Sequence, residues 1–167
     1  FKSEKNLNFF KKINIKSSSK SAFVETQKKI IDVDNFNKGE WWVQDFSSMV
    51  PIAINNKLQN CVILDMCAAP GGKAFQLLSN NKVVLNDISK KRILKLRENL
   101  SRLGFAPEIK NLNALNFDEK IKYDIVLLDS PCSSIGTIRK HPEILFRLKQ
   151  PNFIDLNKLQ NNLLRKS

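Results

Sequence analysis

Three short segments hold residues whose types and spacing could do chemistry together, and each follows an apolar run. The first is Asp65-Met66-Cys67-Ala68-Ala69-Pro70-Gly71-Gly72-Lys73. Small side chains here let the backbone approach a ligand closely, and the start of a following helix offers free N–H groups. Two familiar nucleotide loops fail on spacing. A phosphate-cradling loop needs Gly-x-x-x-x-Gly-Lys-Ser/Thr, but Cys67 stands at the first Gly position and Ala74 at the last; a Gly-x-Gly-x-x-Gly loop is absent too. The ordinary alternative is a Gly-rich turn between a strand and a helix. The second segment is the acidic tip at Asp87, about twenty residues further on, a placement that suits hydrogen bonds to a ribose diol. Alone it would be a common surface Asp; beside the first loop it becomes evidence. The third is Asp129-Ser130-Pro131-Cys132-Ser133-Ser134-Ile135-Gly136-Thr137. A thiol after Pro131 could face a bound ring. A thiolate adding at C6 of cytosine makes C5 enamine-like and able to attack an electrophilic methyl group. A buried structural Cys after a turn-forming Pro is the competing reading.

The elements that must position these residues follow from periodicity. Cys61–Met66 and Lys82–Asp87 are apolar runs that end in acidic residues, and both predict strands. Lys73–Leu78 predicts a helix. Ser89–Leu103 places Ile93, Leu96, Leu100 and Leu103 at three- and four-residue intervals, an amphipathic helix that Gly104 terminates. A weaker strand is predicted over Glu108–Asn111, the strongest over Tyr123–Asp129, and a last helix over Asn152–Leu164. Short apolar runs alternating with helices imply an α/β domain, a doubly wound and mainly parallel sheet covered on both faces. The strand ending at Asp129 should lie beside the first strand, so that both open on one crevice. Only four strands can be placed, and right-handed crossovers lead one to expect a fifth after the last helix. The expectation is therefore a domain truncated at its C-terminal strands.

Residues 1–37 read as a basic lead-in, with one short strand or helix near Ala22–Val33 and a loop or linker at Ser17–Ser21; residues 38–167 read as the domain proper. The absence of a starting Met suggests that residue 1 is not a natural start. The formal net charge is +12, and such a balance favours an anionic partner, because each neutralised phosphate releases counterions. Lys, Asn and Ile are abundant, so compositional drift is the bland alternative. Lys11, Lys12, Lys16, Lys20, Arg139, Lys140 and Arg147 are candidate phosphate contacts. Trp41 and Trp42 could stack a base, although Trp beside a core strand more often packs. Three cysteines at irregular spacing, with no leader sequence, fit a reducing, cytoplasmic compartment rather than a disulfide framework. A single His and no Cys-x-x-Cys argue against a metal site, and no apolar run is long enough to span a bilayer.

The three segments together resemble the Sun/NOP2 (RsmB-type) family of RNA 5-methylcytosine methyltransferases, and within it the bacterial small-subunit ribosomal RNA enzymes. Val43-Gln44-Asp45-Phe46-Ser47-Ser48, Asp65 through Lys73, Asp87, Asp129 through Cys132 and Gly136 through Ile144 carry the resemblance, which covers residues 39–164. It implies a Rossmann-like class I methyltransferase fold and S-adenosylmethionine as cofactor. Carried over position by position, Cys67, Ala68, Ala69, Pro70, Gly71, Gly72 and Lys73 would wrap the methionine part, Asp87 would hold the ribose, and Asp129 would lie against cofactor and target base. Asn113 stands where the family has an Asp at the adenine end; its amide still donates and accepts, but not as a carboxylate. Lys90 and Arg92 read as solvated helix residues. In this family the nucleophile lies in a later Thr-Cys-Ser motif, which these 167 residues do not contain, and the Pro131-Cys132 thiol assists release of the methylated product. The expected activity is methyl transfer to C5 of an unpaired or flipped cytosine in RNA, most naturally 16S ribosomal RNA, by a chain that is a fragment without its nucleophile. Two competitors stand beside it: a non-catalytic RNA-binding remnant of the same fold, and DNA cytosine methylation with Cys132 as nucleophile.

Overall fold

The computed structural model describes residues 17–18, 21–22, 29–55, 58–118, 120–139, 141–147, 149 and 151–167. Lys11, Lys12, Lys16, Lys20 and Lys140 lie outside them. Four strands form one parallel sheet: β1 (Val62–Asp65), β2 (Lys82–Asn86), β3 (Glu108–Lys110) and β4 (Ile125–Leu127), in the order β3-β2-β1-β4. Ile63 pairs with Val83 on one side and Ile125 on the other, and Asp65 with Leu85 and Leu127. The predicted adjacency of the first and fourth strands is therefore observed, and it brings the ends of β1 and β4 to the same edge. Among the described residues the sheet ends at β4.

Why these runs are strands in a covered sheet is visible in which way alternate residues turn. Ile63, Val83 and Leu85 pack with Ala74, Phe75, Leu77, Leu96, Leu100 and Leu103 on one face, while Leu64, Met66 and Val84 pack with Ala114, Phe117 and Leu163 on the other. Successive strand residues point to opposite faces, so a continuous apolar run is what a sheet clothed on both sides requires. The first face carries α2 (Gly72–Leu78) and α3 (Lys90–Leu103). The second carries a 3-10 turn at Ala114–Asn116 and α4 (Phe153–Lys166).

The α3 helix buries all four predicted positions, Ile93, Leu96, Leu100 and Leu103, each worth about 1.5–3 kcal/mol when removed from water. Ser89 caps its start by accepting from the Arg92 N–H, and Gly104 ends it at φ 66° with its N–H on the Leu100 and Ser101 carbonyls. Ahead of the sheet the chain docks on the end of this helix. Gly39 lies at φ 68° because a Cβ there would sit 1.7 Å from the Arg102 carbonyl oxygen. Arg102 donates to the Phe36 and Trp41 carbonyls at 2.6 and 3.0 Å and lies 3.9 Å from the Phe36 ring centroid. Residues on both sides of position 37 share in this docking. In the lead-in, Ser17–Ser18 and Ser21–Ala22 pair as a minimal antiparallel turn and Ile30–Asp32 is a 3-10 turn.

One helix has no counterpart in the sequence reading: α1, Phe46–Ala53. Phe46, Met49, Val50 and Ala53 recur at helical spacing, but the segment is only eight residues long and Pro51 lies inside it. Asp45 starts it, accepting from the Ser47 N–H and hydroxyl at 3.2 and 3.0 Å, and Gln76 of α2 holds it by donating to the Met49 carbonyl at 3.2 Å.

Candidate active site

At the carboxyl end of the sheet, the backbone of the loop after β1 is fastened at three consecutive points. The Met66 N–H donates to the Leu127 carbonyl at 3.0 Å, the Ala68 N–H to the Asn86 carbonyl at 2.8 Å, and the Ala69 N–H to Asp87 Oδ2 at 3.2 Å. The Ala69–Pro70 peptide bond is cis. Gly71 is at φ 120°, and a Cβ on it would lie 2.1 Å from Phe75 Cζ, so only glycine carries the chain from this loop into α2.

Two buried side chains at the end of β2 reinforce this fastening. Asn86 is fully buried; its amide donates to the Met66 and Leu112 carbonyls at 3.0 and 3.1 Å, and its Oδ1 accepts from the Leu112 N–H at 3.0 Å. One amide thus ties the loop after β1 to the loop after β3. Asp87, 2% exposed, accepts from the Ser89 N–H on Oδ1 at 2.9 Å and from Ala69 on Oδ2. Arg92 Nη1 lies 3.3 Å from Asp87 Oδ2, and its other terminal nitrogen donates to the Ala69 carbonyl. Arg92 is therefore no mere solvated residue: its guanidinium clamps the loop from outside. Lys90 is exposed.

Asp65 ends β1 and is 1% exposed; its Oδ1 accepts from the Cys67 N–H at 3.3 Å. Burial pushes its carboxyl up to about 7, opposed by the Cys67 N–H and Lys73 and reinforced by the charges of Asp129 and Asp87. The same surroundings push the half-buried Cys67 thiol up to about 11, through burial first and then the Asp87 and Asp65 carboxylates. At neutral pH it stays a thiol. Lys73, on the first turn of α2, reaches across the crevice: its Nζ lies 2.7 Å from Asp129 Oδ2 and 3.0 Å from the Ser48 hydroxyl. Three segments, the helix α1, the Gly-rich loop and the chain after β4, thus meet at one ammonium group.

Beyond Asp129 the Pro131-Cys132 corner is exposed. The Cys132 sulfur is 4.0 Å from the Ser134 hydroxyl, and Ser134 sits at φ 61° before a 3-10 turn at Ile135–Thr137. The Pro131 carbonyl accepts from Gln160 Nε2 at 2.8 Å, and the Ser133 carbonyl from Arg147 Nη1 at 2.9 Å. Arg147 therefore commits one donor to the chain itself; it and Arg139 are both exposed. Asn113 is exposed and caps the turn at Ala114–Asn116, accepting from the Leu115 N–H at 3.1 Å. Trp41 is buried with its Nε1 on the Asp34 carbonyl, and Trp42 lies edge-on to Phe75 at 5.8 Å; both pack, as neighbours of a core more often do. Among the described residues the cysteines are free, no group of three His, Cys, Asp or Glu could hold a metal ion, and no helix is long and apolar enough to cross a membrane.

Asp65, Lys73, Asp87, Asp129 and Pro131-Cys132 all lie within the part of the chain that is similar to known proteins. Over residues 52–167 it matches the family described as 16S rRNA methyltransferase RsmB/F. Ribosomal RNA small subunit methyltransferase B of Photorhabdus laumondii is 36% identical over 135 residues, 77% of this chain and 32% of that protein. Its namesake of Shewanella oneidensis is 33% identical over 153 residues, 88% of this chain and 36% of that protein. The crystal structure of NSun6 from Pyrococcus horikoshii with SFG superposes with a TM-score of 0.70 at 27% identity, over 83% of this chain and 37% of that one. The chain spans about a third of the length of the curated relatives it matches.

Proposed function

We propose, from the premise that this chain belongs to the 16S rRNA methyltransferase RsmB/F family, that its strand-end crevice binds S-adenosylmethionine and serves methyl transfer to C5 of a cytosine in ribosomal RNA. The observation that carries this reading is the Lys73–Asp129 ion pair, which joins the Gly-rich loop after β1 to the Pro131-Cys132 corner after β4. A cofactor-side loop and a base-side corner share one crevice.

The residues fit a cationic ligand. The charges of Asp87, Asp65 and Asp129 all push the Cys67 thiol up, and Arg92 opposes them. S-adenosylmethionine supplies an electrophilic methyl on a positively charged sulfonium. Cys67 to Lys73 would hold its methionine part, with Asp65 beneath them as the nearest buried negative group. Asp87 already accepts three hydrogen bonds or ion contacts, so a ribose hydroxyl would take its remaining acceptor position. The exposed Asn113 amide would face the adenine. Asp129, oriented by Lys73, would accept from the target base, and the exposed Cys132 would assist the last step on an RNA adduct: the C5 proton leaves, the C5–C6 double bond reforms, and the C6–S bond breaks with its electron pair returning to sulfur. The attacking sulfur itself, in the Thr-Cys-Ser motif that the resemblance implies, is not among these residues. Exposed Arg139 and the excess of Lys would engage phosphates.

The decisive experiment is thermal unfolding with and without the cofactor. Ligand at one hundred times its Kd should stabilise the protein by about 2.7 kcal/mol through mass action. No shift at millimolar S-adenosylmethionine, together with retained RNA binding, would leave a non-catalytic RNA-binding module instead.

A further inference from the structure

We propose that Gln160, with Arg147 as its counterpart, is a positioning residue that aims the Cys132 thiol. The inference rests on the reading of Cys132 just given. It starts from a misfit in α4. The inward stripe of this helix runs through Leu156 and Leu163, with Leu163 buried against Leu64, Met66 and Val84. Gln160, four residues after Leu156 and three before Leu163, stands on the same stripe, where a helix packing on a sheet ordinarily carries an apolar side chain.

The amide is not wasted there. Gln160 Nε2 donates to the Pro131 carbonyl at 2.8 Å, across 29 residues of chain. Arg147 Nη1 donates to the Ser133 carbonyl at 2.9 Å, across 14 residues. The peptide oxygens on both sides of Cys132 are thus held by donors from two different segments, while the Cys132 side chain itself is exposed, its sulfur 4.0 Å from the Ser134 hydroxyl. No strand or helix includes residues 128–134, so the direction of the thiol is set by these tertiary hydrogen bonds. Pro131 narrows the backbone further, since its ring fixes φ. A thiol that must reach one face of a pyrimidine gains from such a mount, because small misplacements at a reacting centre are expensive.

The test uses a full-length protein that carries the Thr-Cys-Ser nucleophile, with S-adenosylmethionine and its RNA substrate, and compares Cys132→Ala, Gln160→Leu and Gln160→Lys. Leu suits the apolar stripe and removes the donor; Lys restores a donor of sufficient reach. Cys132→Ala should trap a denaturant-resistant RNA–protein adduct. Gln160→Leu should do the same in part and lower turnover about tenfold to a hundredfold, with the KM for both substrates within twofold and the Tm unchanged or raised. Gln160→Lys should recover turnover and clear the adduct. If Cys132→Ala traps no adduct, the role given to Cys132 falls. If Cys132→Ala traps it while Gln160→Leu turns over like the unaltered protein, or loses activity only in step with its Tm and without adduct, the positioning role is overturned and the reading of Cys132 stands.

Discussion

The two halves of the crevice are built on opposite principles. On the Asp65–Asp87 side the polar groups are buried and hydrogen-bonded: Asn86 and Asp87 between them hold the loops after β1 and β3 through backbone N–H and carbonyl groups. On the Asp129–Cys132 side the groups are exposed, and the Pro131 and Ser133 carbonyls depend on one side-chain donor each. Buried hydrogen bonds are costly to break because the partner is left unsatisfied away from water, whereas exposed ones exchange readily for solvent. A rigid cradle beside an adjustable corner suits a site that must seat a small ligand tightly and then admit a macromolecular base.

The sharpest way to break that contrast is Gly71→Ala. The added methyl would meet Phe75 Cζ at 2.1 Å and Leu96 Cδ1 at 2.9 Å at a backbone φ of 120°. Strain and overpacking together predict a loss of about 3–5 kcal/mol in urea unfolding. The neighbouring Gly72→Ala is the control: the nearest atom to its added Cβ is 3.5 Å away, on the Gln44 side chain, and its cost should stay within about 0.5 kcal/mol. Equal losses at both positions would mean that the cradle yields, contrary to its hydrogen bonding.

Next in size is the pH dependence that Asp65 imposes on the buried half. Its folded-state pKa is raised from 3.8 to about 7, by burial above all. The folded protein therefore holds this proton more tightly than the unfolded chain does, and stability is highest below pH 4 with respect to this group. It falls as pH rises through 4 to 7 and levels off above, by at most about 4 kcal/mol for a shift of this size. Asp65→Asn keeps an acceptor for the Cys67 N–H and removes the titration. Urea midpoints measured between pH 4.5 and 8.5 should fall less in the variant, so that it gains on the unaltered protein as pH increases. Parallel profiles would contradict the environment described for Asp65.

Much of this architecture was legible before any coordinates, and the reasons are uneven. The stripe Ile93, Leu96, Leu100, Leu103 declares a helix because burial on one side repeats with the helical period. The apolar runs of β1, β2 and β4 declare strands because a two-sided sheet demands them, and their acidic ends mark the crevice. Side-chain direction is not written that way. Arg92 looked solvated because a helix-surface Arg usually is, yet its long stem brings the guanidinium back over Ala69 and Asp87. Asn86 closes an otherwise apolar run, and a polar residue there has to find buried partners, a signal that the neighbouring acidic Asp87 masks. Gln160 carried the same signal in helical form. The helix α1 escaped because Asp45 and Ser47, which start it, are also loop residues, and Pro51 reads as a breaker.

The smallest effect belongs to the exposed half and sharpens the contrast by its smallness. Cys132→Ser alters a side chain that is exposed, with the Ser134 hydroxyl 4.0 Å from its sulfur. Surface changes of this kind leave folding free energy within about 0.5 kcal/mol, so urea unfolding of the variant should overlay that of the parent. Alkylation gives the complementary reading. The Cys67 thiol, pushed up to about 11 and half-buried under Asp65 and Asp87, offers roughly one thiolate in a thousand at pH 8. Iodoacetamide at that pH should therefore label Cys132 well before Cys67, with the sites assigned by peptide mass. Early modification of Cys67 would mean that the cradle opens to solvent as readily as the corner does, and the division of labour between the two halves would be lost.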